Sequence, residues 1–332
     1  MLCSKNGANM EKIIIKNQNI TVTVLTLGAI IQGINAFGVD LTCGYATEEE
    51  YFNDTCYFGG LIGRTANRCG STQYINNIEY SLPLNEKGIN HLHGGMQGFN
   101  LKRWTVTEQG GDFVTLNYIS PDGEEGYPGN LCVYVTYRLV DDSLLISYKA
   151  TTDKPTWVNL TNHSYFNPFG VNNKAGARII GGSLIELYAD RVSVYDENTR
   201  VVGSMDVEGT EFDLRKKYPI ERFYDHNFYL SGNEYESFCG ENLRKAAKIY
   251  GSINIECFTD MPCIQLYCGE YIPENTVLAD GSVIGRGSAL CLETQNEPNM
   301  QARGEGILMP DSVYNSSTAY RFSVGGISVV EK

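Results

Sequence analysis

The chain reads as an all-β protein, a large antiparallel β-sandwich with few short helices. Three observations lead there. Apolar and polar residues alternate with period two through residues 20–25 and 131–137, the spacing that gives a strand one buried and one exposed face. The chain carries 35 glycines and 22 tyrosines, a composition suited to many turns and many half-buried strand faces. Helical spacing is confined to two short stretches, residues 48–52 and 241–247, too short for the crossovers of an α/β fold. In chain order the pattern predicts strands at 20–25, 74–78, 104–107, 113–119, 131–137, 144–150, 192–194, 253–258, 264–267 and 320–324. Asp141, Asp142 and Ser143 separate two of these runs and predict a β-hairpin. No internal repeat, low-complexity tract or linker interrupts the 332 residues, and one domain spanning 1–332 is the expectation.

Composition narrows the partners. Hydrophobic residues make up 42% and charged residues 20%, the balance of a soluble globular protein. The formal net charge of −13 repels phosphate backbones and anionic lipid, which argues against nucleic acid and membrane partners. No stretch approaches the roughly 18 apolar residues of a membrane span, and the first residues lack the apolar core of a signal peptide. The ten cysteines include no C-x-x-C pair and no zinc-ligand spacing. Most sit in apolar runs such as Leu131-Cys132-Val133 and Leu290-Cys291-Leu292, which predicts free, buried thiols in a reducing compartment and a cytoplasmic location.

The chemistry concentrates around residues 158–167. Val158-Asn159-Leu160-Thr161-Asn162-His163-Ser164-Tyr165-Phe166-Asn167 runs from an apolar strand start into a dense set of hydrogen-bonding side chains around one imidazole. A core strand has no use for such a set, because each buried polar group costs free energy until it finds a partner. A polar ligand is the economical explanation. His93, one of only four histidines, precedes Gly94-Gly95, where the backbone can turn sharply or approach a ligand closely. His91 has no such neighbour and reads as structural. In Gly63-Arg64-Thr65-Ala66-Asn67-Arg68 two guanidinium groups flank an amide; Arg64 serves equally well as a ligand-binding group or as a pin for loop carbonyls. Tyr224-Asp225-His226-Asn227 offers either a ligand-facing Asp225 or His226 or a turn, and Gln265 sits in an apolar strand where, facing inward, it needs a polar partner. Glu293 follows Leu290-Cys291-Leu292 and is partly desolvated by that setting, which raises a carboxyl pKa and suits a proton-transfer base; a salt-bridged strand end is the plainer alternative.

Taken in order, Gly63-Arg64-Thr65-Ala66-Asn67-Arg68, Leu92-His93-Gly94-Gly95, Asn159 to Asn167, Tyr224-Asp225-His226-Asn227, Gln265-Leu266-Tyr267 and Leu292-Glu293-Thr294-Gln295 resemble the galactose mutarotase (aldose 1-epimerase) family. The resemblance runs from about residue 22 to residue 324. It implies a sugar site in a cleft across one sheet of the sandwich and interconversion of the α and β anomers of free aldohexoses such as galactose and glucose. It also implies roles. Glu293 matches the general base at the anomeric hydroxyl, His163 the general acid at the ring oxygen, and His93 a second histidine that assists there. Asn67, Arg68, Asp225 and Gln265 match sugar-binding positions, and Ser164 and Tyr165 match positions lining the same pocket.

The implied reaction needs a base at O1 and an acid at the ring oxygen, and no metal, nucleotide or other cofactor. His163 must hold a proton while Glu293 does not, and a neighbouring carboxylate is expected to raise the imidazole pKa toward neutrality. The chain departs from the family pattern after Pro298, where Asn299-Met300-Gln301-Ala302-Arg303-Gly304 replaces the usual run, so one rim of the site is expected to differ. Three other readings share these residues: a hexose-6-phosphate mutarotase, which needs further cations; a glycoside hydrolase using Asp225 and Glu293; and a non-catalytic sugar-binding protein.

Overall fold

The computed structural model describes residues 10–172 and 182–326; Cys3 and the first residues lie outside that range. Among the described residues one α-helix, Glu48–Phe52, stands against thirty strand segments, so the all-β expectation holds. That helix is the short one the sequence predicts, closed by a capping box in which Thr47 and Glu50 bond each other's backbone. No helix among the described residues is long and apolar enough to cross a membrane.

Three antiparallel sheets carry the architecture. A ten-stranded sheet runs through Thr105–Gln109, Phe113–Ser120, Leu131–Val140, Ser143–Thr152, Tyr314–Val324, Ile253–Thr259, Glu241–Tyr250, Leu184–Leu187 and Tyr218–Pro219, with Tyr235–Phe238 paired beside it. A six-stranded sheet orders Tyr165–Phe166, Leu290–Gln295, Cys263–Tyr267, Asp225–Leu230, Ala189–Tyr195 and Val201–Asp206. Lys12–Lys16, Ile20–Leu25, Ile31–Ala36 and Val39–Asp40 form a four-stranded sheet. The sheets pack in a sandwich-like arrangement around one large apolar cluster. Leu290, Leu292, Ile264, Leu266, Phe228 and Val192 from the six-stranded sheet join Val114, Leu116, Val133 and Val135 from the ten-stranded sheet and Val22 and Ile34 from the smaller one. Each such side chain contributes about 1.5–3 kcal/mol on burial, so a one-residue slip that turned the set outward would be prohibitive.

Two local expectations need correction. Residues 241–247, expected as a short helix, belong to the strand Glu241–Tyr250. The Glu, Arg, Lys and Ala residues favour a helix, but this segment pairs with Ile253–Thr259 on one side and with Tyr235–Phe238 and Leu184–Leu187 on the other. Sheet pairing and the burial of Leu243, Ala246 and Ala247 override the local preference. The single strand expected at 74–78 is a hairpin of Thr72–Ile75 with Ile78–Ser81. Asn76 and Asn77 both take positive φ, the conformation of a tight two-residue hairpin turn.

Short bridging pairs lay three segments together beside the six-stranded sheet. Leu61–Ile62 pairs with Thr161–Asn162, Arg68–Cys69 pairs with His91–Leu92, and Thr65 bridges Asn159. Arg64 anchors this assembly. It is buried, and its guanidinium donates to the carbonyls of Ser120, Pro121, Pro128 and Gly129 and to the hydroxyls of Ser120 and Thr156 at 2.9–3.2 Å. The pin-for-carbonyls alternative is therefore the correct one for Arg64. His91 is likewise structural: Nδ1 lies 2.8 Å from the Pro83 carbonyl, so it carries the proton, and Nε2 accepts from the Tyr127 hydroxyl at 2.7 Å.

Replacing Arg64 with Met strands four carbonyls in the interior. At about 1–3 kcal/mol per buried unsatisfied group the loss of stability should reach at least about 3 kcal/mol. Urea denaturation of Arg64→Met checks this, with a change below about 1 kcal/mol contradicting the anchoring role.

Candidate active site

The site is built on one face of the six-stranded sheet. In Leu290–Gln295 the leucines point into the core, so alternation turns Cys291, Glu293 and Gln295 to the opposite face. Register places Gln265 opposite Glu293, Tyr267 opposite Cys291, Asp225 opposite Tyr267 and Asn227 opposite Gln265. A polar lattice results. Gln265 Nε2 donates to Asp225 Oδ1 at 2.7 Å, Gln295 Nε2 to Asn227 Oδ1 at 3.1 Å, and Asn227 Nδ2 to Ser193 Oγ at 3.0 Å. Yet Gln265 Oε1, Gln295 Oε1 and Glu293 Oε2 are buried with no hydrogen-bond partner in the protein. Three unsatisfied acceptors on one face suit a ligand rich in hydroxyl donors.

His163 comes from the turn between Thr161–Asn162 and Tyr165–Phe166. Its backbone N–H donates to the Gly60 carbonyl, and its own carbonyl accepts from the Gly59 N–H, both at 3.0 Å. The imidazole Nε2 lies 3.6 Å from Glu293 Oε2, with both side chains almost wholly buried. Tyr165 packs against the imidazole with ring centroids 5.1 Å apart, and Tyr267 at 6.3 Å. His93 meets it edge-on at 5.2 Å.

Several of these residues are held in unusual backbone. His93 (φ 51°), Asn67 (φ 65°) and Tyr57 (φ 62°) all adopt the left-handed conformation, where side chains other than Gly and Asn are strained. Gly94 follows at φ 88°, and a Cβ there would lie 1.8 Å from the Gly63 carbonyl oxygen, so only glycine permits this crossing. The Asn67 N–H donates to His93 Nδ1 at 3.3 Å, and the His93 N–H returns a bond to the Asn67 carbonyl at 3.2 Å. With Nδ1 accepting, His93 presents Nε2–H as a donor.

Charge is balanced beside the cleft. Arg68 forks onto Glu86 at 2.9–3.1 Å and reaches Asp225 at 3.6 Å. Burial works against its charge, but the two carboxylates outweigh it and hold the guanidinium pKa above its usual value. For the buried pair the order is reversed. Burial lowers the His163 pKa to about 4. Burial, reinforced by the Asp225 charge and opposed by Arg68, raises that of Glu293 well above the usual carboxyl range. Burial also lowers His93, with repulsion from His163 and Arg68 adding to it. The expectation of a raised imidazole is thus overturned: its neighbouring carboxyl is itself kept neutral, so desolvation dominates.

All nine candidate residues lie in or beside this polar cluster, though not all take the same part in it. Glu293, His163, His93, Asn67, Arg68, Asp225 and Gln265 converge as described. The Ser164 hydroxyl donates to Asn162 Oδ1 at 2.6 Å, and Tyr165 packs beneath the imidazole, so these two shape the bed of His163. His226 accepts from the Asp225 N–H and packs on Phe212 and Tyr195, a structural role. Sequence reasoning missed Tyr57, whose ring packs on His93 at 4.8 Å and on His163 at 5.8 Å, and it missed Glu86 and Cys291. Period-two spacing from Glu293 would have found Cys291; Tyr57 and Glu86 reach the site through loops with no such signal. His93, His163 and Glu293 offer ligand atoms within 4.8 Å of one another, as a metal site would. The Asn67 contact, however, places a hydrogen on His93 Nε2, which makes this nitrogen a hydrogen-bond donor and not a metal ligand.

Comparison with known proteins identifies the family and the fold. The family model for aldose 1-epimerase matches residues 11–321. Mouse galactose mutarotase is 37% identical over 96% of this chain and 95% of its own length. The aldose 1-epimerase of Escherichia coli K12 is 31% identical over 84% of each chain. The crystal structure of galactose 1-epimerase from Lactobacillus acidophilus superposes with a TM-score of 0.83 at 26% identity, covering 98% of this chain and 97% of that one. The chain belongs to the aldose 1-epimerase family.

Proposed function

We propose that the protein is an aldose 1-epimerase that interconverts the α and β anomers of free aldohexoses such as galactose and glucose by acid–base opening and closing of the ring. One observation carries the reading: the Glu293 carboxyl and the His163 imidazole, both buried, lie 3.6 Å apart. The anomeric hydroxyl and the ring oxygen share one carbon, so a base for the first and an acid for the second must be near neighbours. Glu293 takes the proton from O1 as His163 Nε2–H protonates the ring oxygen. The ring opens to the aldehyde, the C1–C2 bond rotates, and the carbonyl closes on its other face with both proton transfers reversed. His93 Nε2–H donates a further hydrogen bond near the ring oxygen. Gln265, Asp225, Arg68 and Asn67 hold the sugar hydroxyls, with Ser164 and Tyr165 supporting the pocket wall.

The pair needs one shared proton. In the empty cleft burial places it on Glu293 and leaves His163 neutral. Sugar hydroxyls supply the hydrogen bonds that Glu293 lacks, which favours the carboxylate and moves the proton to His163. The active charge state therefore forms on binding.

The same features weigh against the other readings. A 6-phosphate needs cationic groups to spare, whereas Arg68 is already engaged by Glu86 and Asp225. A hydrolase needs two carboxyls flanking the substrate, and the group beside Glu293 is an imidazole, with Asp225 bonded to Gln265. The apolar cluster shared by all three sheets supports one domain, and the free described cysteines support a reducing, cytoplasmic setting.

Polarimetry of freshly dissolved α-glucose and α-galactose tests the reading. His163→Ala and Glu293→Gln should each lower kcat by about 10²–10⁴-fold. A loss under tenfold in either would overturn its role. The pH profile should be bell-shaped. Below about 4 the imidazole takes a second proton and Glu293 cannot act as base. Above the raised Glu293 pKa the pair loses its shared proton and the acid disappears. A rate that climbs steadily to about pH 10 would contradict the one-proton pair.

A further inference from the structure

Cys291 is a buried titratable group that the proton transfers leave unused, and it touches the acid. It lies two residues before Glu293 on the same face of Leu290–Gln295 and is fully buried. Its Sγ is 3.5 Å from His163 Nδ1, while Nε2 of the same ring faces Glu293. The other groups around this imidazole are His93, Tyr57, Tyr165 and Tyr267, which meet it through ring contacts, and the residue's own backbone carbonyl, which acts to raise its pKa against the larger effect of burial. Burial raises the thiol pKa well above its usual value, so the sulfur is a neutral thiol and not a thiolate.

A histidine that exchanges a proton through Nε2 needs its remaining hydrogen fixed on Nδ1. The common partner for that hydrogen is a carboxylate or a backbone carbonyl, which also stabilises the imidazolium. His91 shows the carbonyl version in this chain, with Pro83 on its Nδ1. A neutral thiol sulfur is a much weaker acceptor. It fixes the tautomer and gives the imidazolium little stabilisation.

We propose that Cys291 is a positioning residue whose sulfur accepts the Nδ1–H of His163, reserving Nε2 for proton exchange and keeping the protonated imidazole a strong acid toward the ring oxygen. The proposal rests on the reading of His163 as the general acid. It explains why an apolar strand presents a cysteine beside the proton-transfer pair, where a better acceptor would make His163 a more reluctant donor.

Cys291→Ser and Cys291→Ala test it. Serine offers a better acceptor and should shift the acid limb of the kcat/KM profile upward by roughly half to one pH unit, the worth of one improved hydrogen bond. Alanine removes the acceptor and should leave that limb at or below the wild-type position. Nitrogen-15 NMR of the histidine-labelled wild-type protein, with His163 assigned by His163→Ala, should show Nδ1 protonated in the neutral ring. The proposal is overturned if wild-type His163 carries its hydrogen on Nε2, or if the serine and alanine variants share the wild-type acid limb. A merely structural cysteine would lower activity without moving the limb. Full activity in His163→Ala would instead defeat the acid assignment, and the NMR tautomer would still decide whether Cys291 holds Nδ1–H.

Discussion

A carboxyl buried without a hydrogen-bond partner on one oxygen is the constraint around which this protein is arranged. Glu293 Oε2 has no partner within the protein, and its nearest basic neighbour is an imidazole equally starved of solvent. An unsatisfied buried group costs about 1–3 kcal/mol, and more when charged. The sheet sustains that cost because alternation ties Glu293 to Leu290 and Leu292. The leucines belong to the apolar cluster between the sheets, and as long as they stay there Glu293 must face the cleft. Stability on one face of the strand thus holds a strained chemical group on the other.

The imidazoles are fixed by different means. His163 is clamped through its backbone to Gly59 and Gly60, and His93 through a reciprocal bond with Asn67. Left-handed backbone at Tyr57 and His93 concentrates strain beside the imidazoles. Arg64 ties its own segment to the loop between Phe113–Ser120 and Leu131–Val140. Rigid framing of this kind lets small atomic separations decide the chemistry, since a proton donor and acceptor displaced by an ångström lose most of their effect.

Much of this was legible in the chain. The period-two runs gave the strands, and the polar set around His163 and the carboxyl at the end of Leu290-Cys291-Leu292 pointed to the pair that the fold brings together. What failed did so for physical reasons. Glu241-Asn242-Leu243-Arg244-Lys245-Ala246-Ala247 has helical preference that strand partners on both sides overrule. Asn76 and Asn77 were hidden turn residues inside an apparent strand. The direction of the His163 shift was misjudged because a neighbouring carboxylate raises an imidazole pKa only if that carboxylate is itself ionised, and the desolvation legible at Glu293 extends to the imidazole beside it. Glu86 lies in a loop whose sequence does not say that it will fork with Arg68.

The shared proton can be observed without turnover. Infrared difference spectroscopy of the ligand-free protein between acid and alkaline pH, with Glu293→Gln as the reference, reads the protonated carboxyl band of this one side chain. The Glu293 acid band should persist in the empty protein well above the pH at which an ordinary glutamate ionises, and should disappear when galactose or glucose is added. A carboxyl already ionised at about pH 5, in the range of an ordinary glutamate, would contradict the shared proton.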